Sequence, residues 1–188
     1  MARINHVKRA RASKRERRCR CGQVVQPGEA YKYINKKTGP RSGYMMYFCY
    51  RCTPRPSDTM SGRAAQMAQI EEDYYDAVRQ AVEIDDLLSA GAATANDIEE
   101  FADEIAEAAE NMESGFGHST AQTEIMTETA DEIREWAVTL REYAEGWNEE
   151  DCESYYEDEH CDPEDHWQQV ADQLDEIMSD QPSLELQA

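Results

Sequence analysis

Four cysteines carry the most specific chemistry in the chain. Cys19 and Cys21 form a C-x-C pair, Cys49 and Cys52 form a C-x2-C pair, and 27 residues separate the two. Thiolates grouped in two close pairs around a short segment suit one tetrahedral Zn²⁺ site of structural type. Four free thiols in a reduced protein are the alternative. A redox C-x2-C is a weaker rival, because no βαβ context surrounds it. His118, His160 and His166 stand beside glycine or acids rather than in a nucleophile or metalloprotease pattern, so the chain reads as a non-enzyme. Cys152, His160, Cys161 and His166 have ligand types that suit a second metal, but C-x7-H-C-x4-H is not the spacing of a familiar zinc site.

The elements that must position the four thiols are short. Gly22 and then Gln26-Pro27-Gly28-Glu29 supply a knuckle and a turn. Ala30-Tyr31-Lys32-Tyr33-Ile34 has the β-formers of a strand, residues 36–43 hold turn chemistry, and residues 44–50 read as the returning strand. A hairpin of this size cannot bury enough apolar surface to fold alone, and a bound metal supplies the missing free energy.

Residues 19 to about 59 resemble the small zinc-ribbon or treble-clef proteins encoded by tailed bacteriophages. The resemblance rests on the cysteine pairs, the Gly28-Glu29 turn, the aromatic strands and the trailing Pro54-Arg55-Pro56-Ser57-Asp58. It covers about a third of the chain and implies one structural zinc ion and a phage origin more firmly than any activity. Such proteins usually read C-x2-C-G at the first knuckle, where this chain has Cys19-Arg20-Cys21-Gly22.

Charge divides the chain by position. Residues 1–56 hold 15 Lys and Arg against two acids, Glu16 and Glu29, for a net +13. Residues 57–188 hold four Arg, no Lys and 38 acids, for a net −34 within an overall −21. A basic head able to meet phosphates is thus joined to an acidic body that repels them. Residues 1–18 carry Arg3, Lys8, Arg9, Arg11, Lys14, Arg15, Arg17 and Arg18 with only Ile4 and Val7 as sizeable apolar residues, the composition of a flexible basic arm. Together with Lys36, Lys37 and Arg41 of the hairpin, these cations are the candidate nucleic-acid contacts. The arm has two other readings, a solvated tail or a segment that folds against the acidic body.

Pro54 and Pro56 mark residues 53–59 as a stiff, non-helical linker, which places a boundary between a zinc module at 19–56 and a helical domain at 57–188. Beyond it, Met67, Ile70, Tyr74, Ala77, Ala81, Ile84 and Leu88 recur at steps of three and four, a heptad seam on a helix of about residues 60–90. Ser89-Ala90-Gly91 followed by Thr94 favours a turn and a second helix at about 95–112, although the seam continues in phase through Ala95, Ile98, Ala102, Ile105, Ala109 and Met112 and also fits one long helix. After residues 114–118, Ser119 and Gln122 make a capping-box pattern for a third helix to 147, with Met126, Thr129, Ile133, Trp136, Leu140, Tyr143 and Trp147 as its seam. Asp162-Pro163 opens a fourth helix at 163–179 with Trp167, Val170, Leu174 and Ile177 inward. Residues 149–165 hold ten acids.

The fold class that follows is mainly α: a small zinc-bound β-hairpin module, zinc ribbon or treble clef, ahead of an acidic helical bundle or coiled coil. Two functions compete. In one, the basic head contacts nucleic acid or a nucleoprotein and the body mediates protein contacts, including pairing in a homodimer. In the other, the acidic body mimics nucleic acid and blocks a host nucleic-acid-binding or defence protein. No run approaches the roughly 18 to 20 apolar residues that cross a bilayer, and the basic N-terminus lacks the apolar core of a secretory signal. A soluble protein of the cytoplasm, the host bacterial cytoplasm if phage-encoded, is therefore expected, with no membrane partner.

Overall fold

A computed structural model describes residues 4–7, 16–35, 45–148 and 163–182. It is mainly helical with a small antiparallel sheet, and the chain divides into two units, Met1–Glu72 and Asp73–Ala188. Among the described residues no helix is long and apolar enough to cross a membrane.

In the first unit, the expected hairpin is present as β4 (Tyr31–Asn35) and β5 (Met45–Cys49), paired antiparallel with Tyr31 opposite Cys49 and Tyr33 opposite Tyr47. The turn before β4 forms as read: Gly28 takes φ 96°, Glu29 N–H donates to Gln26 O at 3.1 Å, and Gln26 N–H donates to the Glu29 carboxylate at 2.8 Å. The basic N-terminal segment is not wholly a flexible arm. Ile4–Val7 (β1) pairs with β4, giving a three-stranded sheet in the order β1-β4-β5, and Arg17–Arg18 (β2) pairs with Val24–Val25 (β3). The reason is local: β4 has a second edge to satisfy, and Ile4 packs on the small core of Cys19, Val25, Ile34, Phe48 and Cys49.

The linker expectation is also corrected. Pro56–Thr59 is a single helical turn (α1), because a proline at the first helical position gives up only an amide that would be unbonded anyway. The Asp58 carboxylate closes that turn by accepting the Arg55 N–H at 2.9 Å. Helix α2 follows at Arg63–Val78, and the division between units falls within it, later than residue 56.

In the second unit, α3 (Ile84–Phe116), α4 (Ala121–Gly146) and α5 (Pro163–Ser179) pack as an acidic helical bundle. The helix expected over 60–90 breaks at residues 79–83 instead of near Gly91. Asp86, in the first turn of α3, accepts the N–H groups of Val82 at 2.9 Å and Glu83 at 3.0 Å and so fixes the new start. Gly91 and Thr94 are not a turn and a cap but buried residues inside α3. A Cβ at Gly91 would lie 3.0 Å from Leu174 Cδ2 and 3.3 Å from Ala144 Cβ, so this glycine serves a close approach of three helices. The break also shifts phase: Leu87 rather than Leu88 is fully buried, while Ala95, Ile98, Ala102, Ile105 and Ala109 face the core as the spacing indicates.

Gly117 ends α3 in the left-handed region at φ 74°, its N–H reaching Glu113 O at 2.8 Å, in agreement with the interruption read at 114–118. The cap of α4 is Thr120 with Thr123, not Ser119 with Gln122. Thr123 N–H donates to Thr120 Oγ1 at 3.2 Å and Thr120 N–H to Thr123 Oγ1 at 2.9 Å, and the same Thr123 hydroxyl reaches Glu113 of α3 at 2.9 Å. Met126, Thr129, Ile133, Trp136 and Leu140 are buried along α4, with Tyr143 and Trp147 half-buried, and Val170, Leu174 and Ile177 are buried along α5. Trp136 locks α4 to α5 by donating its indole N–H to Ile177 O at 2.6 Å.

Candidate metal centre

Two knuckles bring the four cysteines together. In the first, Cys19 N–H donates to Gln23 O at 2.9 Å and Gly22 N–H donates back to Cys19 O at 2.9 Å, with Gly22 at φ 84°, a conformation that favours glycine. This tight loop lets a C-x-C pair do what usually takes two intervening residues. In the second, Cys52 N–H donates to Cys49 O at 3.2 Å at the end of β5. The thiol sulfurs of Cys19, Cys21, Cys49 and Cys52 all lie within 4.8 Å of one another. Four sulfurs at about 2.3 Å from a tetrahedral ion are about 3.8 Å apart, so the cluster has the dimensions to hold a metal ion.

The electrostatics favour the same use. Burial pushes the Cys49 thiol up, but the N–H groups of Cys52 and Arg51 and the neighbouring thiols outweigh it and bring Cys49 down to about 7. Cys21 is lowered chiefly by the Gln23 backbone N–H. Cys52 is pushed up to about 12, chiefly by its side-chain hydrogen bond with Cys49, the two sulfurs standing 3.5 Å apart. Crowded thiols that stabilise some thiolates while one keeps its proton are a donor set from which a soft divalent cation displaces protons. Cys49 N–H also donates to Cys19 Sγ at 3.2 Å, and Lys32 Nζ holds Cys52 O at 2.8 Å.

A polar network that the spacing of the cysteines does not reveal ties the first knuckle to the helices that follow. Arg20, the residue between the two C-x-C cysteines, places Nη1 2.7 Å from Asp58 Oδ1 on α1 and Nη2 3.2 Å from Gln69 Oε1 on α2. Asp58 is 3 % exposed. Ser57 completes the junction, its N–H and hydroxyl reaching the Glu72 carboxylate at 3.0 and 2.7 Å. Ser57 and Asp58 therefore brace the knuckle that carries Cys19 and Cys21. The one advance signal was a proline followed two residues later by Asp, a helix-start pattern.

Of the candidate nucleic-acid contacts, Arg17 and Arg18 lie on β2. The Arg17 guanidinium sits 4.2 Å from the Tyr47 ring centroid and 5.3 Å from that of Tyr31, while Arg18 is exposed. Arg3, Lys8, Arg9, Arg11, Lys14, Arg15, Lys36, Lys37 and Arg41 lie outside the described residues, as do Cys152, His160 and Cys161 of the second candidate metal set; His166 is on α5. No protein family, curated protein or solved structure matches the chain.

Proposed function

We propose that the first unit is a zinc-ribbon or treble-clef head that binds one structural Zn²⁺ through Cys19, Cys21, Cys49 and Cys52 and contacts nucleic acid or a nucleoprotein, while the acidic helical body mediates protein contacts. The observation that supports this most is the confinement of charge: 15 of the 19 Lys and Arg of the chain fall in residues 1–56, the segment built around the cysteine cluster. Zinc is the preferred ion because four thiolates in a tetrahedral arrangement are a typical structural zinc set. A phage origin accords with the resemblance of residues 19 to about 59.

Native mass spectrometry tests the metal. A gel-shift series against salt tests the contact. Because β1 belongs to the sheet, the arm is best probed by substitution rather than deletion: replacing Lys8, Arg9, Arg11, Lys14 and Arg15 with alanine removes five cations and leaves β1 and β2 in place. If each meets a phosphate, the logarithmic salt slope for duplex DNA falls by about four to five. An unchanged slope would remove the arm from the reading.

One feature of the body favours the second function, in which the protein imitates nucleic acid. Glu124, Glu128, Asp131, Glu132 and Glu135 line the exposed side of α4 together with Glu113 of α3. Five carboxylates along about 16 Å of helix axis give roughly one charge per 3 to 4 Å, close to the spacing along one DNA strand. Arg134 partly neutralises this face, pairing with Asp131 at 2.8 Å and Asp103 at 2.9 Å. That pairing makes mimicry the second choice. Its signature is a full-length chain that ignores DNA yet displaces it from a basic partner.

A further inference from the structure

The sheet of the basic head has a face whose chemistry goes beyond charge. Strand alternation puts Ile34 and Phe48, 0 % and 2 % exposed, in the core, and sends Tyr31, Tyr33 and Tyr47 to the other face. The three rings form one group: Tyr31 lies 6.2 Å from Tyr33 at an interplanar angle of 41° and 5.9 Å from Tyr47 at 61°. Each is half-buried, so each keeps solvent-facing ring surface. Arg17 lays its guanidinium over Tyr47 and Tyr31, adding a cationic plane to the aromatic ones.

Packing alone accounts for the core side of this sheet, where Ile34, Phe48, Ile4 and Met46 are apolar. Core packing engages Tyr31 but does not account for Tyr33, Tyr47 and an arginine gathered on the other side in a segment with 15 cations and two acids. Aromatic rings and guanidinium planes interleaved with positive charge are the surface on which unpaired bases stack, while the cations follow the phosphates. Duplex DNA hides its base faces in its own stack and can engage such a surface only through charge.

Resting on the reading of the head as a nucleic-acid contact, we infer that the Tyr31–Tyr33–Tyr47 face with Arg17 is a stacking platform for the bases of single-stranded nucleic acid. The strand lies across β4 and β5 with bases on Tyr33 and Tyr47, and Arg17 stays over the rings as a further stacking plane. Selection among bases is weak, because every base offers a π-face.

The test uses the full-length, metal-loaded chain and fluorescence anisotropy with three probes of equal length: an oligo(dT) strand, the same strand with abasic residues, and a duplex. The abasic strand keeps the phosphates and loses the rings. The expected result is binding of oligo(dT) about fivefold or more tighter than the abasic strand, for each ring engaged, and tighter than the duplex. Tyr33→Leu and Tyr47→Leu each lower oligo(dT) affinity by about the same factor with little change for the abasic strand, and Tyr33→Phe restores it. These positions are chosen because Tyr31 also packs on the core. Equal affinity of the unsubstituted chain for oligo(dT) and the abasic strand, or a preference for duplex, overturns the stacking platform and leaves nucleic-acid contact standing. Failure to bind any of the three overturns both.

Discussion

Replacing Asp58 with alanine asks how far the metal centre extends beyond its four ligands. The carboxylate uses both oxygens, Oδ1 on Arg20 Nη1 at 2.7 Å and Oδ2 on the Arg55 N–H at 2.9 Å. Losing a side chain that caps a helical turn costs about 1 kcal/mol. The Arg20 pair adds about 1 kcal/mol and no more, because the guanidinium is 44 % exposed and water screens it. The sum is about 2 kcal/mol. Arg20 lies between two of the proposed ligands, so destabilising its anchor destabilises the knuckle, and if folding and metal binding are one equilibrium, as the proposed structural zinc requires, the loss appears in metal affinity. The dissociation constant for Zn²⁺ should then rise about 30-fold, measured by competition with a chromophoric chelator. Asp58→Asn keeps the shape and one acceptor and should lose about half the free energy, roughly a fivefold change. Unaltered zinc affinity in both variants would show that α1 is merely attached to the module and does not hold it.

Four further outcomes are expected. Cys49→Ser should lower bound zinc in native mass spectra and remove tertiary structure from the head, with most of the helical circular dichroism retained; a metal-free wild-type mass would end the zinc assignment. Because Cys49 sits near 7 and Cys52 near 12 without metal, binding must expel protons at neutral pH, so apparent zinc affinity should climb by about tenfold or more per unit between about pH 6 and 8. Asp86 is held below its ordinary value by the Val82 and Glu83 N–H groups, so its contribution exists above the unfolded carboxylate range and disappears as pH falls through the depressed one. Asp86→Ala should therefore lower the melting temperature at neutral pH and make no difference in strong acid. Gly91→Val forces methyl groups into a space where even a Cβ meets Leu174 at 3.0 Å, and overpacking of about 1 to 3 kcal/mol should outweigh the roughly 0.5 kcal/mol that helix propensity returns.

The body shows which parts of a helical fold are legible in one sequence. The α4 seam from Met126 to Leu140 and the α5 stripe of Val170, Leu174 and Ile177 were readable because apolar burial repeats with the helix itself. Gly91 was misleading because a glycine that breaks a helix and one that lets a neighbouring helix approach look identical in sequence, and Leu174 lies 83 positions away. The true break at 79–83 was hidden by apolar residues that keep heptad phase across it. What marks it is the Asp86 carboxylate on two backbone amides, a polar contact that a count of apolar spacing does not register.

The head divides along the same line. The cysteine pairs and the β4–β5 hairpin were legible because ligand spacing and alternation are local, whereas β1 depends on an open edge of β4 some 27 residues downstream, and Arg20 meets Asp58 across 38 positions. Charge is what makes these distant contacts functionally relevant. Read as composition, Arg17 and Arg20 are two more cations available to phosphates, but in the fold Arg20 is committed to Asp58 and Gln69 and Arg17 to two tyrosine rings. A net +13 therefore overstates the free charge that the head presents, and the salt dependence of nucleic-acid binding should reflect fewer phosphate contacts than the 15 cations suggest. A preference for single strands over duplex then has to come from ring surface, the role proposed for the tyrosine face of the sheet.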